Sequence, residues 1–564
     1  MKKADQLKAL SYIYIFSPVI IFLLGWTKLY LVGLPLAISV LFCLIRMFRR
    51  TQKEFRINIV FAKKDWIKVV VILAIIGLWV YISGVGGYVW QNTDHRWRNE
   101  LFDILVSYKW PVVKGTVAGS KGISYYIGFW MIPAVIGKLY GLAAGYFAQY
   151  IWAVIGIALA YAFMCRRENK VLIWPLVLFI FISGLDIVGM LLFDFKSFTH
   201  LELGTHIERW IKGYQFSSFT TQLFWVFNQA IYGWLITLLI MEEKNHDMVI
   251  LMAAGIFLAP LPMVGLFPMT LCVIWNNVQK LRSEKNIGFI RGLFTSLITY
   301  ENIIGVFLTI VFGALFLSNN ALGFSFGTIT SENALKFIVI LAILVVCSVA
   351  VLAYLKRFKH NSLRIKERII NNRVISNIYN NKLVRIVFKV GMCVLLAMVL
   401  FYGSNHSIPA NNELTSGNNV YRYLLFLLIE IGAYVIFTYK SSRKNNIYIC
   451  ALIMLLFCPM VVIGAGTDFC MRACIPAQVV LFMAFVDVLK EFNFKQKRAT
   501  AIIMAIVILL GSVTTINEFL RTIINYPEYK EYGRIEANKE QIFESLNFNT
   551  DVENNLFYKY MANY

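Results

Sequence analysis

The stretch QNTDHRWRNELFDIL, residues 91–105, sets Asp94, His95, Arg96, Arg98, Asn99, Glu100 and Asp103 beside Trp97 and Phe102. Carboxylates and an imidazole at this density suit general-base chemistry, in which a side chain takes the proton of an attacking hydroxyl. Asp94 leads, with His95 and Asp103 as further catalytic candidates. On a helix Asp94 and Arg98 share one face, and Asn99 and Asp103 another. A guanidinium one turn away keeps a carboxylate ionised. Asp94 could instead cap the N-terminus of that helix. The mixture of donors and acceptors around it favours a site.

Two further clusters have the same character. HLELGTHIERWIKGYQFSSFTTQLFW, residues 200–225, offers His206, Glu208 and Arg209 beside Trp210. Glu208 is a reserve catalytic carboxylate, and an amphipathic interfacial helix is the plainer account of the whole stretch. TDFCMRACIPAQ, residues 467–478, places Asp468 and Arg472 four apart. A guanidinium forks onto phosphate oxygens, so Arg472, oriented by Asp468, suits a lipid phosphate or pyrophosphate. Its plainer accounts are a boundary salt bridge or a snorkelling side chain. Cys470 and Cys474 lack His or further Cys at ligand spacing and read as packing residues. No metal-ligand set, Walker A, HExxH or dinucleotide fingerprint appears at a plausible position. The residues require no cofactor, although a divalent metal stays open.

These clusters must be held by a chain of 564 residues, 59% of them hydrophobic and 15% charged, with mean hydropathy +0.65. Soluble domains average about 25% charged residues, so a cytosolic globule and a disordered chain are both excluded. The net charge of +23 arises from Lys and Arg in short blocks between apolar runs. Such blocks mark cytoplasmic loops rather than a nucleic-acid footprint. With ~20 residues per crossing, the expectation is an all-α, polytopic transmembrane bundle of about 15 spans (13–15).

The charge blocks orient it. Arg46–Lys68 holds eight basic and two acidic residues, and Lys356–Lys389 holds ten and one. Both read as cytoplasmic. The N-terminus is cytoplasmic and its first apolar segment a retained anchor, since no small-residue cleavage site follows it. Residues 87–143 and 192–220 then form outer loops. Residues 125–141 lie along the outer interface instead of crossing, because Pro133, Lys138 and the aromatics suit an interfacial helix. Short segments at 248–259 and 262–277 read as a re-entrant or broken pair. Spans near 335–355 and 389–403 flank the second basic block. The tail, 517–564, carries eight acidic and five basic residues and belongs outside. Asp186 lies where it could join an outer site, while Glu430 reads as a partner to a neighbouring helix. The organisation is 1–66 (two spans and a basic loop), 67–516 (a catalytic bundle) and 517–564 (an acidic tail).

This order resembles the GT-C superfamily of membrane glycosyltransferases. Members place an acidic motif in the first large outer loop, then a juxtamembrane helix, then a bundle with a late, outward-facing Arg. Asp94 in QNTDHRWRN stands at the acidic position, 125–141 looks like the juxtamembrane helix, and MRACIP is similar to the family's Arg-Phe/Tyr-x-x-Pro stretches. Two spans precede the family's usual first one, and Asp94-His95 replaces a pair of carboxylates. The resemblance implies a multi-pass cell-membrane enzyme that moves a sugar from a polyprenyl-phosphate donor to a glycan, lipid or protein acceptor at the outer face. Arg472, with Arg98, His206 and Arg209, would then bind the donor phosphate. Membrane lipids are expected partners and nucleic acid is not. A flippase or transporter would line a midplane path with polar residues, and a polymerase or ligase would carry its large loop late in the chain. A scaffold would use the same clusters as interaction surfaces.

Overall fold

Within hydrocarbon a backbone satisfies its polar groups most simply as a helix, and the apolar runs of this chain fold accordingly. The computed structural model describes residues 5–51, 65–115, 119–168, 170–193, 198–211, 213–242, 247–286, 289–317, 419–461, 467–493, 496, 498–536 and 540–563. The expected spans at 335–355 and 389–403, and the basic block between them, lie outside the described residues.

Helices α1 (Gln6–Trp26), α2 (Leu34–Thr51) and α3 (Asp65–Ile82) come first, and α4 (Asp94–Ser107) carries the first polar cluster. Two short strands follow, β1 (Val113–Lys114) and β2 (Lys121–Ile123), then α5 (Met131–Tyr140) and α6 (Leu142–Glu168). Next are α7 (Trp174–Phe181), α8 (Asp186–Phe193), α9 (Phe219–Glu242), α10 (Met248–Leu258), α11 (Pro260–Lys285), α12 (Phe289–Leu297) and α13 (Tyr300–Phe316). Beyond the long undescribed interval stand α14 (Asn419–Leu427), α15 (Ala433–Ser442), α16 (Asn446–Phe457), α17 (Asp468–Ala473), α18 (Ile475–Glu491), α19 (Arg498–Ile524) and α20 (Tyr526–Tyr532). Strand β3 (Asn549–Asp551) lies in the tail.

Nine helices among the described residues are long and apolar enough to cross a membrane, or ten if the bent pair at 291–297 and 300–316 counts as one span. The fold is therefore polytopic and helical. Residues 127–140 make a 3-10 turn and α5, too short together to span. The segment expected to stop at 277 instead runs as one helix of 26 residues to Lys285. Pro260 and Pro262 separate this helix from α10, as expected, and open its first turn, where a missing N–H costs nothing. The all-α expectation is amended by a three-stranded antiparallel sheet, in which Gly122 faces Val113 on one side and Thr550 on the other.

That sheet ties the tail to the first loop. Lys121 pairs with Asp551, and Lys114 Nζ lies 2.6 Å from Glu540 Oε2. The chain end reaches the α1–α2 turn, where the Lys28 amide donates to the Met561 carbonyl at 2.7 Å. The three polar clusters and the tail gather at this end of the bundle. At the opposite end Arg50 meets Asp247 and Glu301, Arg166 meets Asp5 and Glu242, and Arg167 meets Asp487.

Candidate functional site

Helix α9 breaks at Val226 (φ −140°, ψ 35°), which frees the Phe224 carbonyl from its helical partner. Two residues of the first cluster take that acceptor. Asn92 Nδ2 donates to it at 2.9 Å, and His95 Nε2 lies 3.1 Å from it. His95 Nδ1 is 3.2 Å from the Gln91 amide nitrogen, and the imidazole stacks on Phe227. Burial holds the His95 ring neutral, with its pKa pushed down to about 3. Nε2 thus secures α4 to the broken helix, and Nδ1 faces the Gln91 side chain that precedes α4. Asn92 also caps α4, its Oδ1 accepting the Asp94 amide proton at 3.1 Å. The Asp94 side chain is thereby left out of the capping role.

Asp94 accepts from Arg98 Nη2 at 3.2 Å, and Asp468 accepts from Arg472 Nη1 at 3.0 Å, each pair one turn apart on its own helix. The carboxylates keep 43% and 36% of their side-chain surface exposed, whereas Arg98 and Arg472 keep 7% and 11%. Arg98 stacks over Phe227 at 5.6 Å. Among the described residues, its Nε and Nη1 are buried without an acceptor, and so is Arg472 Nε. The pairs act on one another. Burial works against the Arg472 charge, but Tyr126, Asp468, Tyr125 and Asp94 together hold its pKa above the usual guanidinium range. Burial drives the Tyr125 phenol up, while Arg472 and Arg98 both pull it down. Clusters far apart in sequence, on α4 and α17, share one end of the bundle, linked through α9 and the loop at 208–218. Helix α17 is seated by close packing. A Cβ on Gly265 of α11 would come within 1.7 Å of the Ala473 carbonyl oxygen.

The second cluster braces α17 from the other side. Gln215 accepts from Thr467 Oγ1 at 2.9 Å, and its backbone carbonyl faces Cys470 Sγ at 3.2 Å. Glu208 holds the loop that carries Gln215, taking the Ser218 amide at 2.9 Å and the Gln215 amide group at 3.0 Å. Burial, relieved in part by His206, raises Glu208 to a pKa of about 7. His206 Nδ1 sits 2.7 Å from Glu518 of α19. Burial opposes its charge, but Glu518 and Glu208 outweigh that and raise its pKa. Arg209 is exposed and reaches only Gln215, at 3.5 Å. Among the described residues, the contacts of Glu208, His206 and Arg209 serve the loop, α9 and α19. Asp103 also turns elsewhere, accepting from Tyr146 at 2.7 Å, and burial raises its pKa.

Asp186 begins α8 after a break at 182–185 and accepts from Thr514 Oγ1 at 2.7 Å. Glu430 accepts from Trp210 Nε1 at 2.8 Å and is also in contact with Asp186. A largely apolar crevice of about 470 Å³ lies beside Glu430, walled by Phe216, Phe219, Phe482 and Phe485 with Ser217 and Gln478. Among the described residues, no group of three or more His, Cys, Asp or Glu side chains is placed to hold a metal ion.

No family model, curated protein or solved structure matches the chain. The site must speak through its chemistry. Two buried guanidinium groups with spare donors, beside two half-exposed carboxylates, make a place for an anion with a base at its edge. Sequence reasoning singled out Asp94, Arg98, Asp468 and Arg472 but missed Tyr125 and Tyr126, which it absorbed into an apolar run. It also missed Gln215, for which a single polar residue in a loop gives no signal.

Proposed function

We propose that this protein is a membrane glycosyltransferase of the GT-C kind, which takes its sugar from a polyprenyl-phosphate donor at the outer face of the cell membrane. The observation that supports this most is that the Arg98–Asp94 and Arg472–Asp468 pairs share one end of the bundle, with guanidinium nitrogens left without acceptors among the described residues. A lipid-linked donor stays in the bilayer, so its phosphate must be met near the membrane surface. On this reading the cluster end faces outward, the N-terminus lies in the cytoplasm and the C-terminus outside.

Asp94 takes the proton of an acceptor hydroxyl on a glycan, lipid or protein. The freed oxygen attacks the anomeric carbon, and the bond from that carbon to the phosphate oxygen breaks with its electron pair passing to the phosphate. Arg98 and Arg472 stabilise the charge that gathers there, in a water-poor setting where such donors act strongly. Asp468 holds Arg472 in one rotamer without using all five of its N–H groups. Glu208, His206 and Gln215 fix the loop behind α17. The test is transfer by the purified protein in liposomes, supplied with a panel of polyprenyl-phosphate hexoses and pentoses and read as released polyprenyl phosphate. Asp94→Asn keeps the size and removes the basicity, so release should fall by at least ~10²-fold. Near-normal release from Asp94→Asn would remove Asp94 as the base.

A further inference from the structure

Away from the arginine pairs, two interrupted spans meet. The span Trp174–Phe193 breaks at 182–185, and the span Tyr421–Ser442 passes through a π-helical turn at Leu428–Gly432. The Leu185 amide donates to the Ile429 carbonyl at 3.3 Å, and the Tyr434 hydroxyl donates to the Ser183 carbonyl at 2.6 Å. Irregular backbone at membrane depth is tolerated where it lines a cavity, and a π-turn inside a helix often marks a functional place. Here that cavity is the crevice of about 470 Å³, where Glu430 lies among the rings of Phe216, Phe219, Tyr434, Phe482 and Phe485.

Glu430 is only 3% exposed. Its Oε1 accepts from Trp210 Nε1 at 2.8 Å, while its Oε2 is buried with no hydrogen-bond partner among the described residues. That oxygen stands against Gly184, where a Cβ would overlap it, so the residue that admits the carboxylate also lines the crevice. Asp186, two residues on, leaves its Oδ1 equally unpartnered there. Among the described residues, the hydrogen-bond donors to the two carboxyl groups are Trp210, Ser183 and Thr514, all neutral.

We infer that this crevice binds a compact primary amine, with its ammonium on Glu430 Oε2 and its apolar body among the aromatic rings. A charged carboxylate costs about 3 kcal/mol at the centre of a bilayer, and a cation beside it offsets that cost. An N–H fills the acceptor left empty, which a quaternary ammonium would not do. Aromatic faces favour the same charge, since a ring attracts a cation within about 6 Å of its centre. A hard metal ion takes about six or more oxygen ligands, and this wall is largely apolar. A molecule without a donor would leave Oε2 as it is. The amine site does not depend on the phosphate reading of the arginine pairs.

The experiment titrates para-fluorobenzylammonium into the full chain in lipid nanodiscs. Binding is read by fluorine NMR line broadening against empty nanodiscs, with thermal unfolding recorded in parallel. Saturable binding above that blank is expected. Para-fluorobenzyl alcohol, the same ring without the charge, should bind at least about tenfold more weakly, the scale of one hydrogen bond between charged groups. Glu430→Gln should weaken the amine by about tenfold and leave the alcohol unchanged. No saturable binding above the blank overturns the site. Equal affinity for amine and alcohol reduces it to an apolar crevice and overturns the inference, and so does wild-type amine affinity in Glu430→Gln. If Glu430→Gln lowers the unfolding midpoint, Leu481→Phe takes its place. That change narrows the crevice without touching its charge, so amine binding must weaken, and unchanged affinity overturns the crevice as the site.

Discussion

Arg46, Arg50, Arg166 and Arg167 each reach a carboxylate on a different segment, joining α2 to α13 and α10, and α6 to α1, α9 and α18. Arg98 and Arg472, at the other end of the bundle, form their ion pairs among the described residues with the aspartate one turn back in their own helix, and keep buried nitrogens without acceptors there. The partners differ as well. Glu301 and Asp247 are buried carboxylates that need their arginine, whereas Asp94 and Asp468 are half exposed. A guanidinium that joins two elements is held for stability. One that is held by its own helix and left with spare donors has capacity for something that arrives.

The largest effect that can break this contrast is one of side. Glu553 is exposed at the cluster end and Ser283 is exposed at the opposite end. In intact cells an impermeant maleimide should label Glu553→Cys and not Ser283→Cys. The reverse pattern would put the candidate site in the cytoplasm, away from an outer-face donor.

Stability should separate the two ends next. Arg50→Ala removes one cationic partner from each of two buried carboxylates, leaving Glu301 its Arg46, and removing one partner of a buried pair costs about 3–5 kcal/mol. Arg472→Ala leaves a half-exposed Asp468 and gives up an ion pair of the kind worth about 0.3–0.5 kcal/mol. Denaturation in detergent should therefore show a marked loss for Arg50→Ala and a loss within about 1–2 kcal/mol for Arg472→Ala, truncation of packing included. Equal losses would make Arg472 one more structural arginine.

Much of this contrast was legible in the residues. The i, i+4 spacing of Asp94 with Arg98 and of Asp468 with Arg472 became real pairs, because both stretches fold as helix. His95, a catalytic candidate from its sequence, is held by a contact that the sequence does not show. The carbonyl that claims it is exposed by a break in α9, some 130 residues away, and nothing in FWVFNQ marks that break. Asp103 was placed on a helix face correctly, but that face meets Tyr146 of α6. The tail's acidic residues suggested only a side of the membrane, and the matching of Glu540 and Asp551 to Lys114 and Lys121 of the first loop was not legible in them. Hydropathy located the long apolar helices well. It placed the division between α10 and α11 at the prolines but ended α11 at 277, short of Lys285, because the last turns are polar.

The smallest effect concerns how the tail is held against α4. Glu100 accepts the Ile542 amide at 2.6 Å, and burial raises its pKa from 4.5 to about 7. A raised carboxyl pKa gives stability that is full below pH 4.5 and lost as pH rises through about 7. The thermal midpoint of the wild type should therefore fall between pH 5 and pH 8. Glu100→Gln keeps the acceptor and removes the titration, and should reduce that fall by roughly half, since Glu208 titrates in the same range. An undiminished fall in Glu100→Gln would assign the effect to other groups.

The double variant Asp468→Asn with Arg472→Gln tests the phosphate site most directly, because it removes both charges of the pair and strands neither. With a polyprenyl-phosphate sugar as donor, the measurement is transfer together with donor affinity. A boundary salt bridge would tolerate the change, whereas a phosphate-binding arginine would not. The account predicts a correctly folded protein whose transfer falls by about 10²-fold or more, the scale of losing a donor to developing charge. Retained transfer at wild-type donor affinity would contradict it.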